Sequence, residues 1–152
     1  LRYKMFDFGL FFSGVGQTYR ILGGETWLPA SSIGAGNIWS NIDSRWTEAN
    51  PRQDVFWPRM STTTYKNNEQ PSTWWLKDMS FLRLKNIEVG VTLPEQWTHA
   101  AKIRECRIFL RGNNILTFSK FNMWDPEIGS NDGLKYPVMK SVSLGVSFNF
   151  NN

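Results

Sequence analysis

The chain holds one histidine, His99, and one cysteine, Cys106, seven positions apart. A Cys–His dyad is the simplest catalytic reading of them. Cys106, however, falls on the apolar side of an alternating stretch, where a thiol packs as a small inert hydrophobe. A single cysteine also excludes an internal disulfide and any multi-cysteine zinc site. Asp125-Pro126-Glu127 offers two carboxylates, but the proline holds them in a turn and no cleft is evident. A glycoside hydrolase fragment would need two carboxylates facing each other across a cleft. The acid- and amide-rich stretch from Asp125 to Gly133 offers oxygen ligands for calcium, yet a turn-rich loop of Asp, Asn and Gly is its better supported reading. Gly14-Val15-Gly16 lacks the third glycine of a dinucleotide fingerprint and leads into no helix. The chain is therefore expected not to be an enzyme, and no cofactor or metal is assigned to it.

Binding chemistry has more to work with. The chain carries 8 tryptophans. Trp27, Trp39, Trp46, Trp57, Trp74 and Trp75 all fall in residues 14–80, a stretch rich in Gly, Ser, Asn, Thr and Pro. So long a loop must bury something to offset its entropy, so most of these rings are expected to pin a small core of its own. Indole rings are also stacking platforms for sugars and peptide side chains. The contact candidates are Trp46, Trp57, Trp74 and Trp75, with Trp124 and Tyr136 from a second loop. Trp74 and Trp75 are neighbours, and on an extended chain they face opposite ways; both can be buried only if structure lies on both sides.

Alternating strands must hold these loops. From Lys140 to Phe150, Val142, Leu144, Val146, Phe148 and Phe150 take every even position, and Ser141, Ser143, Gly145, Ser147 and Asn149 every odd one. One face is all apolar and the other small and uncharged. That suits a strand with lipid on one side and a watery lumen on the other. Strands are expected over about 3–13, 81–93, 103–116 and 139–150, with long loops at 14–80 and 117–138. In the second of these strands the apolar phase changes between Leu84 and Ile87, which predicts a bulge or a strand end there. Asn86, Glu88, Arg107 and Arg111 fall on the polar faces and are the lumen-lining candidates. Trp97, in the short turn after Pro94, suits a membrane interface.

Composition bounds these readings. The chain has 152 residues, 15% of them aromatic, so it is not a disordered segment. Its net charge of +4 is mild and the basic residues are interleaved with acids, which argues against a nucleic-acid surface. No start methionine, signal peptide or apolar run of spanning-helix length is visible, and barrel strands need none.

Several stretches carry a resemblance. Trp75-Leu76-Lys77-Asp78-Met79-Ser80-Phe81-Leu82-Arg83-Leu84-Lys85-Asn86-Ile87, followed by Gly90-Val91-Thr92-Leu93-Pro94, resembles the C-terminal region of the SusC/RagA family. The likeness continues through Arg111-Gly112-Asn113-Asn114-Ile115-Leu116-Thr117 and Trp124-Asp125-Pro126-Glu127-Ile128-Gly129-Ser130-Asn131. Arg45-Trp46-Thr47-Glu48-Ala49-Asn50-Pro51 is similar to a further family stretch. Two departures stand out: Asn113 where the family commonly has Gln, and Asn151-Asn152 after Phe150 where it commonly finishes on an aromatic.

The resemblance implies an all-β fold of antiparallel strands forming the last part of a large transmembrane barrel of roughly 22 strands, with long extracellular loops. The plug domain would lie outside this chain. It implies a TonB-dependent outer-membrane importer of glycans or peptides. Its partners would be the rest of the barrel and plug, a SusD-like surface lipoprotein, TonB through the absent N-terminal part, and outer-membrane lipid. The competing reading is a soluble β-sandwich that binds carbohydrate, in which a second sheet would cover the even face of the last strand.

Overall fold

The computed structural model describes residues 1–24, 28–29, 38–60, 65–98, 100 and 102–150. His99 and Trp27 lie outside the described residues. Strand β1 (Arg2–Tyr3) turns through Lys4, at φ 52°, into β2 (Phe6–Val15). After β3 (Tyr19–Ile21) come a single helical turn α1 (Lys66–Glu69), β4 (Leu76–Asp78) and β5 (Phe81–Leu93). A second helical turn, α2 (Glu95–Thr98), leads into β6 (Ile103–Ser119), and β7 (Ser141–Phe150) ends the described chain. All pairings between strands are antiparallel. The main sheet has the order β1-β2-β5-β6-β7, an open meander, and β3 pairs with β4 beside it.

The limits differ from those expected in two ways. The expected first strand divides at a tight turn, because Lys4 takes a left-handed conformation and folds β1 back on β2. The last loop opens later than expected, because β6 keeps its pairing with β5 as far as Ser119. Residues 14–80 also hold a two-stranded sheet, joined when the chain returns at Leu76–Asp78 to pair with Tyr19–Ile21.

Register sorts the side chains. Directly paired residues in adjacent strands point to the same side. One row across the sheet is Phe8, Val89, Leu110 and Leu144; the next is Phe6, Val91, Ile108 and Val146. The opposite side carries Gly9, Glu88, Arg111 and Ser143, then Asp7, Gly90, Phe109 and Gly145. The phase change in β5 is a bulge: Lys85 drops out of register between Leu84 and Asn86. Facing it, β6 leaves Asn114, at φ 54°, and Ile115 out of register.

The apolar face has no cover. Val142, Leu144 and Val146 are 68%, 75% and 50% exposed. A sandwich would have closed a second sheet over them, so the carbohydrate-binding sandwich does not describe this fold. Buried apolar side chains gather in the loops instead. Leu22, Leu28, Trp57, Trp75, Met79 and Phe121 form one cluster, packed round by Trp39, Ile42, Phe56, Trp74, Met123 and Trp124.

Candidate functional site

The polar face of the wall carries one charge network. Arg107 donates through Nε to Asp7 Oδ2 at 3.0 Å and through Nη2 to Asp7 Oδ1 at 2.5 Å, a two-pronged pairing that fixes the guanidinium plane. The same Nη2 donates to Glu88 Oε1 at 2.6 Å, and Arg111 Nε to Glu88 Oε2 at 2.5 Å. Two cations and two carboxylates thus balance across β2, β5 and β6. Backbone makes the room. A Cβ at Gly90 would lie 2.5 Å from both Arg107 Nη2 and Asp7 Oδ2, so the pair sits directly on a glycine. Gly145 is covered in the same way by the Phe109 ring. Both arginines stack on Phe109, with guanidinium carbons 5.0 and 5.3 Å from its centroid. Asn86 continues the polar face one row further, paired with Asn113, whose amide donates to the Ser141 hydroxyl at 2.9 Å. The four residues singled out on polar faces therefore share one side of the wall.

A second cluster fastens a loop to the end of the wall. Arg83, 1% exposed, donates to Asp125 Oδ1 at 2.5 Å, and its Nε lies 3.0 Å from Glu127 Oε2, off-line for a hydrogen bond. Lys85 Nζ donates to Glu127 Oε1 at 2.5 Å. The loop is built to present both acids. Asp125 caps a single 3-10 turn, Pro126–Ile128, by accepting from the Glu127 amide at 3.0 Å, and Gly129 ends that turn at φ 61°. Sequence reading treated Asp125 and Glu127 as turn formers or candidate oxygen ligands. Their carboxylates instead hold cations 42 residues away in sequence. The signal available was opposite charge in two stretches read separately, Arg83–Lys85 and Asp125–Glu127.

The six aromatic candidates fall into three settings. Trp57 and Trp75 are wholly inside the loop core, with indole nitrogens donating to Asn41 Oδ1 at 3.0 Å and to the Asn68 carbonyl at 2.8 Å. Trp46, Trp74 and Trp124 are half-buried. Trp46 lies under the Arg59 guanidinium at 5.8 Å, Trp74 donates to the Phe56 carbonyl at 3.2 Å, and Trp124 packs edge-on against Phe121 at 4.9 Å. Tyr136 is exposed in the loop before β7. Trp74 and Trp75, with Pro58, Asn67, Asn68 and Ser72, line a cleft of about 250 Å3. The adjacent rings meet nearly at right angles, 80° apart, and structure does lie on both sides of the chain there.

Several loop groups have displaced protonation equilibria, Asp132, Asp78 and Lys77 among them. Hydrogen bonds from Ser130, then from the Leu134 amide, hold the Asp132 carboxyl below its ordinary range. Bonds from Ser80 do the same for Asp78, and burial lowers Lys77, whose ammonium sits 4.7 Å from the Phe56 ring centre.

No family model matches the chain. TonB-dependent receptor P3 of Formosa agariphila is 30% identical over 99% of the chain and 15% of that receptor. TonB-dependent receptor P26 of the same species is 26% identical over 99% of the chain and 16% of its own length. Among solved structures, the RagAB peptide transporter superposes with a TM-score of 0.73 at 26% identity, covering 96% of the chain and 16% of that protein. The RagAB peptide importer in its open-open state gives 0.72 at 25% identity, covering 97% and 16%. The chain thus spans about one-sixth of the length of the proteins it matches.

Proposed function

The chain belongs to the SusC/RagA family of TonB-dependent outer-membrane transporters, and from that premise we propose that it supplies part of the wall and outer mouth of a TonB-energised importer. The bare apolar face of β2, β5, β6 and β7 carries the proposal. Side chains such as Leu110 and Leu144 lie half or more exposed to nothing this chain provides, which suits hydrocarbon and not water. The opposite face, with Asp7, Glu88, Arg107, Arg111 and Asn86, lines the lumen of a barrel of about 22 strands or meets its plug. The loops of residues 14–80 and 117–138 lie outside the cell. There Trp46, Trp74, Trp124 and Tyr136, with surface left open, are the contact residues for cargo or for a SusD-like lipoprotein lid. Trp57 and Trp75 act from beneath them. The cargo class is peptide or glycan; likeness to a peptide importer favours peptide.

The test uses the full-length receptor in its own outer membrane, in cells with and without its gene. Uptake of labelled peptides and labelled oligosaccharides is measured, with TonB active or inactivated. Gene- and TonB-dependent uptake of one class is expected. Fractionation of the receptor away from the outer membrane, or uptake that ignores TonB, would overturn the reading.

A further inference from the structure

The cleft of about 250 Å3 beside Trp74 is built where three segments of one loop converge. Hydrogen bonds tie those segments together and set the walls in advance. The Trp74 indole nitrogen donates to the Phe56 carbonyl at 3.2 Å, the Trp75 nitrogen to the Asn68 carbonyl at 2.8 Å, and the Asn68 amide to the Arg59 carbonyl at 3.2 Å. Trp75 is all but enclosed, so Trp74 supplies the open ring. Both indole N–H groups are engaged inside the loop, which leaves carbon surface for a ligand. Two polar side chains remain at the rim. Asn67 and Ser72 are exposed, and neither side chain has a hydrogen-bond partner among the described residues. None of the lining side chains, Pro58 and Asn68 included, is charged. Lys66 and Glu69 share the helical turn α1 with Asn67 but do not line the cleft. Arg59, next in sequence to Pro58, pairs with Glu48 at 2.9 Å and covers the Trp46 ring.

We propose that this cleft is a cargo subsite for one uncharged, apolar residue of an extended peptide, its side chain against Trp74 and its backbone amide at Asn67 and Ser72. The proposal rests on the importer reading above and deepens it by naming the kind of residue bound. Size sets the first limit. Pockets for drug-sized ligands run to about 300–1,000 Å3, so this one admits a single residue. Charge sets the second. A Lys, Arg, Asp or Glu side chain would lose water here and meet no opposite charge in the lining. The count of polar groups separates peptide from sugar. A pyranose carries hydroxyls around its edge, and those turned into the cleft would find no indole N–H to meet them. A peptide unit has one N–H and one C=O, and a side-chain amide such as that of Asn67 is donor and acceptor at once. A folded lid docks over a broad area, to which a cleft for one residue adds little; a short cargo chain depends on such a cleft.

The test is calorimetric titration of the full-length receptor in detergent with end-blocked pentapeptides, acetyl-Gly-Gly-X-Gly-Gly-amide, in which X is Leu, Gly, Lys or Glu. The Leu peptide is expected to bind about tenfold tighter than the others, the effect of burying one apolar side chain. Trp74→Ala should bring it down to the Gly peptide. Asn67→Lys changes an exposed rim position and leaves the loop core alone. It should raise affinity for the Glu peptide about threefold and lower it for the Lys peptide, a shift that a merely loosened loop would not give. A neutral hexose oligomer should not displace the Leu peptide, and the preference should persist with the lipoprotein removed. Equal affinity for all the peptides, a Leu preference untouched by Trp74→Ala, or no charge-dependent shift in Asn67→Lys would each overturn the subsite. So would displacement by the sugar or a preference that needs the lipoprotein. If peptide uptake is gene- and TonB-dependent but the preference is missing, only the subsite fails. If the receptor imports no peptide, the peptide reading fails and the subsite with it.

Discussion

Val142 and Leu144 in the wall stand open on one side, while Trp57 and Trp75 in the loops have almost no surface left. The two regions use apolar side chains oppositely. In the wall, cohesion comes from the backbone ladders joining β2, β5, β6 and β7, with ion pairs and stacked rings on the polar side. Its apolar side chains stand open to nothing this chain provides. In the loops, ladders are short and a tryptophan-rich core holds the chain. Loops that cannot draw on the wall's apolar face need a core of their own, and the cluster around Trp57 and Trp75 supplies it. The Arg83 cluster is the fastening between the two, with loop acids gripping wall cations.

The sharpest way to break this contrast is to empty the loop core. Trp57→Ala should cost about 3–5 kcal/mol locally, since the ring is fully buried and its nitrogen bonds Asn41. Limited proteolysis of the full-length receptor should then cut within residues 38–60, while the barrel still resists heating in detergent. Loss of heat resistance along with loop cleavage would mean that the regions are one cooperative unit.

The reverse experiment places a charge on the wall. Leu110 sits mid-strand on the apolar face, in register with Val89 and Leu144. Leu110→Arg should cost about 2–4 kcal/mol if that face meets the bilayer midplane. The measured quantity is the fraction of receptor assembled in the outer membrane, which should fall, whereas Ser143→Arg on the polar side should be far milder. Equal effects from the two substitutions would remove the distinction between the faces.

What could be read in advance follows the same division. Strand phase, the bulge near Lys85 and the existence of a loop core were legible, because period-two alternation and the entropy of a long loop are local arguments. Partners distant in sequence were not legible. Arg107 meets Asp7 across 100 residues, and nothing in either segment names the other. Gly145 reads as a small polar-face residue, yet it is the floor on which Phe109 rests, as Gly90 is for the Asp7–Arg107 pair. Register makes those contacts, and register across long loops is not written in any one strand. Which tryptophans would be sealed and which left open was equally hidden: Trp74 and Trp75 are neighbours, and only the second is fully enclosed.

The smallest expected effect is also the most selective probe of the loops. Asp132 Oδ1 accepts from the Ser130 hydroxyl at 2.5 Å and from the Leu134 amide at 3.0 Å, and both bonds favour the charged carboxylate. Its pKa is therefore lower folded than unfolded. The stability it contributes is present above about pH 4, where an unfolded aspartate is already ionised, and is lost as pH falls through the lowered folded value. The neighbouring Gly133, at φ 79°, lies against the Trp124 ring, so a loosened Asp132 frees an edge of the aromatic cluster. Hydrogen exchange of the Leu134 amide, expressed as a protection factor to remove the intrinsic pH dependence, should fall in acid in the wild-type receptor. In Asp132→Asn it should start lower and stay flat with pH. Amides in the β5–β6 ladder should keep their protection over the same range, because no bond of theirs depends on this carboxylate. If ladder and loop amides lost protection together, the loops would have no separate stability, and the opposition between a core-held rim and a ladder-held wall would not stand.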